Sequence, residues 1–394
     1  MNRTTLRKNH KWVGLAFAFF MLMFCMSGVV LNHRSEVAHL SVGRQWLPGG
    51  YRFKSWNGGL LRGSIGEKAD GDSVSRVFVF GNSGIWLTDT DASSFKDCNS
   101  GLPDGADYRN IKGMCYTPDG QLWALAQFGL YRKVSTRDEW VETKLPAPQG
   151  ERWTDIAVKQ DTLAVMSRSH LYVATAPYTH FEKREICAPQ GYDGKVSLFK
   201  TIWNLHSGEM LGTAGKLFMD GVAVVLMVIC ITGVAFWLLP IYMKKTKSTS
   251  KRCRNLLKGN LNWHDKLGRY TFGILIFVSL TGWCLRPPVL IALVKGRVPA
   301  IPYTAMDDTN PWRDRPQVLK TDNSRGDWLL STTEGLYTLP SLTGTPVKME
   351  QAERMYHRLL YRRNGEGGIG TSLREICRVV MLNGLPKGTH RGGI

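Results

Sequence analysis

The chain has 394 residues, 51 Lys and Arg against 32 Asp and Glu, a formal charge of +19 and 43% hydrophobic residues. That length suits two or three domains, and 13 Trp, 13 Tyr and 15 Phe exclude a disordered chain. Gly and Cys contents exclude collagen and a disulfide scaffold. Net positive charge points to nucleic acid or a membrane surface. Here the basic residues flank apolar runs, so the partner is the lipid bilayer and nothing supports nucleic-acid binding.

The first predicted element is a spanning helix. Trp12 to Asn32 (WVGLAFAFFMLMFCMSGVVLN) contains no charge and is long enough to cross a hydrocarbon core of about 30 Å. Its length exceeds a usual signal-peptide core and no clear A-x-A site follows, which predicts an uncleaved anchor. Gly221 to Met243 predicts a second span. Tyr270 to Leu285 predicts a third, since apolar character resumes after Arg286-Pro287-Pro288 through Val294. Lys and Arg cluster before the first span and between the second and third, which reads as cytoplasmic. The stretch 34–205 has 21 basic and 19 acidic residues, no such bias, and is expected outside.

Between the spans four segments align on one template: VFVFGNSGIW (77–86), LWALAQFGLY (122–131), LAVMSRSHLY (163–172) and WLLSTTEGLY (328–337). Each reads as two strands around a tight turn near Gly84, Gly129, His170 or Gly335, where glycine supplies a positive φ. The first three recur at 45 and 41 residues, the length of a four-stranded propeller blade. Unrelated hairpins are the alternative; a fixed period favours blades. The fourth copy lies beyond the third span, so the domain is built from two chain segments.

The expected fold is a membrane protein with three transmembrane α-helices and an extracytoplasmic, all-β, propeller-like domain. Its parts are 1–33, the cytoplasmic N-terminus and first span; 34–204, the periplasmic domain; and 205–243, a Gly-rich approach and the second span. There follow 244–266, a basic cytoplasmic loop; 267–295, the third span; and 296–394, a periplasmic segment with the last blade. The tail from Glu353 carries seven Arg and eight Gly, and no fold is assigned to it. Cys98, Cys115, Cys187 and Cys377 lie on the outer side, where disulfides persist. Cys98–Cys115 is the favoured pair because its loop is short. The chain has no HExxH, GxSxG or P-loop motif, and no catalytic side chain is assigned.

Four of nine His stand at helix ends. His10 and His33 are 23 residues apart, about 34 Å along a helix, hence near opposite faces of the bilayer. His10 is followed by Gly14 and Ser27-Gly28, and His264 by Gly268 and Thr281-Gly282, at equal spacing. Residues i and i+4 share a helix face, so Gly14 and Gly268 remove bulk beside each imidazole, as a large planar ligand requires. His10 with His264 inside, and His33 with His206 outside, suggest two bis-imidazole haem b sites. In that reading Lys8, Lys11, Lys266 and Arg269 pair with propionates. A zinc site lacks a third ligand at either level.

The segments RKNHKWVGLAFAFFMLMFCMSGVVLNH (7–33), LHSGEMLGTAGKLFMDGVAVVLMVICITGVAFWL (205–238) and HDKLGRYTFGILIFVSLTGWCLRPP (264–288) resemble the PepSY-associated transmembrane family. The chain departs from its pattern in lacking a fourth span and an evident PepSY module. Some members are similar to inner-membrane di-haem reductases of ferric siderophores. The resemblance implies haem ligands at His10, His264, His33 and His206, an unknown cytoplasmic electron donor, a periplasmic ferric-siderophore acceptor and a role in iron uptake. The competing reading is a membrane-anchored propeller that binds a ligand or partner, or regulates, without redox activity.

Overall fold

From Arg3 to Asn32 the sequence has no proline and, after Lys11, no charge; it forms one 30-residue helix, α1. In lipid a helix is favoured because it satisfies its own backbone groups. This computed structural model describes residues 2–41, 43, 46, 61–66, 76–89, 91–134, 136–247, 250–308, 310–322 and 326–349. The Glu353–Ile394 tail, including Cys377, lies outside the described residues.

After α1 come three antiparallel four-stranded sheets. The first holds β1 (Leu61–Gly66), β2 (Arg76–Gly81), β3 (Gly84–Asp89) and β4 (Phe95–Asp97). The second holds β5 (Ile111–Tyr116), β6 (Leu122–Ala126), β7 (Leu130–Val134) and β8 (Glu139–Thr143). The third holds β9 (Trp153–Lys159), β10 (Thr162–Ser167), β11 (Leu171–Thr175) and β12 (Glu182–Arg184). Next are β13 (Lys195–Ser197), α2 (Leu198–Ser207), α3 (Gly212–Lys245), α4 (Lys251–Cys284), α5 (Val289–Leu293) and β14 (Arg297–Pro299). The described elements end with β15 (Pro316–Asp322), β16 (Asp327–Thr332), β17 (Gly335–Leu339) and β18 (Val347–Lys348), a fourth sheet of the same order.

Two units result. The β unit is Ser35–Tyr192 with Thr309–Ile394, and the helical unit is Met1–Arg34 with Asp193–Asp308. The β unit is thus assembled from two segments, with the helices inserted between them in sequence. The expected boundary at 204 falls instead after Tyr192, because β13 pairs with β14 of the helical unit through Val196 and Val298.

Strand alternation sends successive side chains to opposite faces, and β6 is buried on both. Leu122 and Ala124 join Phe78, Ile85 and Trp140 between the first and second sheets. Trp123 and Leu125 join Ile156, Val165 and Tyr172 between the second and third. Met166 and Leu171 meet Trp312, Leu330 and Tyr337 between the third and fourth. Burial of each Leu, Ile, Val, Met or Phe side chain among these contributes about 1.5–3 kcal/mol. Asp155, only 3% exposed, adds a polar tie: its Oδ2 accepts from the Leu319 N–H at 3.0 Å and lies 3.4 Å from Lys320 Nζ. No closed propeller is formed among the described residues.

All four template segments are hairpins, but the turns differ from expectation. Gly84 and Gly335 have φ of +91° and +139°, whereas Gly129 and His170 are not left-handed. At Gly129 the constraint is steric: a Cβ would stand 2.7 Å from Tyr131 Oη. Cys98 and Cys115 are both free thiols. Cys98 packs between the first two sheets, while Cys115 points from the other face of β5 toward the third. A short loop does not bring two thiols together across a strand.

Among the described residues three helices are long and apolar enough to cross a membrane: Thr4–Asn32, Glu209–Lys245 (which takes in a short turn before α3) and Lys251–Cys284. The expected loop 244–266 is mostly helix, since α4 begins at Lys251 with the Ser250 Oγ accepting from the Arg252 N–H at 3.3 Å. Charges at 251–266 mimic a loop in sequence, yet no proline interrupts them. The third span ends at Cys284, not 295, because Pro287 and Pro288 disfavour helix before them.

Candidate functional site

The site residues lie in the helical unit. His10 on α1 and His264 on α4 are brought together, with ring centroids 6.1 Å apart and planes inclined by 55°. His264 Nδ1 lies 3.1 Å from Thr232 Oγ1 and 3.1 Å from the Ile229 carbonyl, both on α3. The Thr232 hydroxyl donates back to the Val228 carbonyl at 2.7 Å, a common arrangement for helical threonine. Its oxygen is therefore left to accept. A carbonyl only accepts as well, so Nδ1 of His264 carries the proton and its Nε2 lone pair is free.

His206, on α2, repeats this arrangement. Its Nδ1 lies 3.0 Å from Thr281 Oγ1 on α4, and that hydroxyl donates to the Phe277 and Val278 carbonyls at 3.1 and 3.0 Å. Burial holds the His206 pKa below its ordinary value, opposed by a hydrogen bond to the Val278 backbone and aided by Arg286.

A Thr-Gly dipeptide thus receives each imidazole. A Cβ on Gly233 would lie 3.2 Å from His264 Cε1, and one on Gly282 would lie 3.0 Å from His206 Cε1. Gly14 and Gly268, the expected spacers, border open space within 4 Å. The room for His264 is made on the neighbouring helix instead. The repeat of Thr232-Gly233 and Thr281-Gly282 in two apolar runs was the available signal; which His lands on which pair is set by packing.

His33 and His206 have separate partners. His33 caps α1, and its Nε2 stands 2.6 Å from Asp220 Oδ2 on α3. Asn32 Nδ2 donates to Asp220 Oδ1 at 3.2 Å and to the Ser207 carbonyl at 3.3 Å. Among the described residues no ring contact joins His33 with His206. The chain does bend between α2 and α3 as its glycines allow. Gly208 and Gly212 have φ of +79° and +62°, and a Cβ on Gly208 would lie 2.1 Å from the Gly215 carbonyl oxygen. Arg269 is paired with Asp265 one turn away, and Lys11 lies over the Trp12 ring at 5.3 Å. Among the described residues no group of three or more His, Cys, Asp or Glu side chains is arranged to hold a metal ion.

A family model described as the PepSY-associated TM region matches residues 103–359, well over half of the chain. The chain belongs to the PepSY-associated TM family. The match takes in α3 and α4, which carry both Thr-Gly pairs and His264, and α2, which carries His206. Among curated proteins no relative matches this family member.

Distant likenesses occur among solved structures. One is PorZ, a surface component of the type-IX secretion system of Porphyromonas gingivalis, 14% identical over 32% of this chain and 16% of that one, TM-score 0.24. Another is U3-55K, 12% identical over 33% of this chain and 40% of that one, TM-score 0.26. A third is the extracellular domain of the putative hybrid two component system BT4673 from B. thetaiotaomicron, 13% identical over 32% and 16%, TM-score 0.26. The chain therefore spans less than half the length of each of these.

Proposed function

We propose that this chain is an inner-membrane haem b redox protein that passes electrons from a cytoplasmic-side donor to a periplasmic acceptor, a ferric siderophore. The observation that carries the reading is the His10–His264 pair. With ring centroids 6.1 Å apart, His10 and His264 would be the residues to hold one haem iron between them. Thr232 and the Ile229 carbonyl fix the His264 tautomer that leaves Nε2 available, the type of outer support that metal-binding imidazoles use. When bound, haem would supply the one-electron chemistry. His10 and His264 would hold it, and Gly14 and Gly268 leave space beside them.

The outer pair does not fit a second haem in this arrangement. His206 is held through Nδ1 as His264 is, but Nε2 of His33 is engaged by Asp220, and among the described residues no ring contact joins the two. We place one haem, at the inner pair. The Lys- and Arg-rich flanks support a cytoplasmic N-terminus and a periplasmic β unit, whose four sheets we read as propeller-like blades.

The test is haem content of the full chain expressed with ample haem. About one b-type haem per chain is expected, lost in His10→Ala and in His264→Ala and kept in His33→Ala. A chain without haem would leave the anchored, partner-binding propeller as the reading, and a His264→Ala variant with unchanged haem would remove the His10–His264 pair as its site.

A further inference from the structure

A groove of about 1250 Å³ runs between α3 and α4. On α3 it is lined by Val224, Val228, Ala235 and Leu239, and on α4 by Leu256, Trp263 and Leu267. Its polar lining is uneven. Lys251, Arg252 and Asn255 stand together at the α4 start, where α3 ends in Lys244 and Lys245. Among the described residues no acidic side chain lines the groove. Among the described residues neither Lys251 nor Arg252 has an ion-pair partner.

We propose that this groove binds one anionic phospholipid, its phosphate against Lys251 and Arg252 and an acyl chain laid along the apolar walls. Three observations select this occupant. All of the groove's cations sit at one end, which matches an amphiphile with one charged head; a packed helix would need no such asymmetry. From Arg252 to Leu267 the wall is about 22 Å long, enough for a chain reaching through one leaflet, about half of a ~30 Å core. The basic end lies on the side that the Lys and Arg distribution assigns to the cytoplasm, where anionic lipids attract such clusters. Gly259 then has a role. It lines the groove, and a Cβ there would meet nothing within 4 Å, so the space beside it is open to a lipid tail.

The inference does not depend on the haem reading, since it needs no metal, although Thr232 lines the groove as well as contacting His264. The experiment uses the full chain in mild detergent, incubated with dipalmitoyl phosphatidylglycerol or dipalmitoyl phosphatidylcholine. Bound lipid per chain is read by native mass spectrometry, with haem content recorded on the same samples. About one phosphatidylglycerol per chain is expected, held well above phosphatidylcholine. The Lys251→Gln/Arg252→Gln variant should bind phosphatidylglycerol roughly 30-fold more weakly, approaching phosphatidylcholine. Gly259→Leu puts side-chain bulk into the open space beside Gly259 and raises helix propensity; it should bind neither lipid while its helix content stays intact. Equal retention of the two lipids by the native chain overturns the proposal. So does phosphatidylglycerol binding that survives both variants, or a co-purified quinone that phosphatidylglycerol fails to displace. Loss of lipid with haem retained would separate failure here from failure of the redox reading.

Discussion

Thr232 Oγ1 stands 3.1 Å from Nδ1 of His264 across two antiparallel helices. The hydroxyl is held by its own helix and so presents an oxygen at a fixed height. Replacing Thr232 by Val keeps the shape and removes that acceptor. The expected result is a 10- to 100-fold loss of haem affinity in titrations of the full chain, the usual cost of losing an outer support. Thr232→Ser, which keeps the hydroxyl, should restore most of it. A Val variant with native affinity would remove Thr232 from the site.

His206 titrates in the opposite direction from a salt-bridged histidine. Desolvation depresses its folded-state pKa below the ordinary 6.5, so the unfolded chain takes up the proton first. Its contribution to stability is complete above about pH 6.5 and declines as pH falls through the folded pKa. Thermal melts in detergent between pH 7.5 and 5 should show a fall for the native chain that is smaller in His206→Gln. Parallel curves for the two proteins would contradict this.

Asp155 joins sheets contributed by the two segments of the β unit. Asp155→Ala leaves the buried Leu319 N–H without its acceptor and should cost about 1–3 kcal/mol, seen as a lower midpoint in urea for the strand signal. Asp155→Asn retains an oxygen for Leu319 and should lose less. An alanine variant as stable as the native chain would show the tie to be idle.

The two thiols nearest in sequence in the β unit should stay reduced. Burial raises the Cys98 pKa and pushes that of Cys115 up to about 12, and the two face different apolar layers. Peptide mapping after mild oxidation should find no Cys98–Cys115 link, while Cys187, exposed at the surface, labels with maleimide in the native state. A mapped link would require β5 to be turned over.

Much of this architecture was legible because its signals are local. The charge-free run of α1, and the strand–turn–strand pattern that gives β2–β3, β6–β7, β10–β11 and β16–β17, depend on neighbours a few residues away. The first half of α4 was not legible. Charges at Lys251, Arg252, Arg254 and Lys258 read as a loop, although helices tolerate charge and only a breaker would have ended this one. At the candidate site, the His10–His264 level followed from equal spacing in two helices. The partners of His206 and His33 did not. They lie 75 and 187 residues away, and nothing in the spacing says that Asp220 would meet His33 before another imidazole could.

The position of the helical hairpin within the β unit's chain also sets an order in time. Asp155 and the backbone of Leu319 are 164 residues apart, and at about 5–20 residues per second synthesis places them roughly ten to thirty seconds apart. Throughout that interval Met166 and Leu171 lack the apolar layer that the last sheet brings. Only after α3 and α4 have been made can that face be covered. Completion of the β unit therefore follows synthesis of the hairpin, and a chain stalled between the two would display that uncovered face to chaperones and proteases.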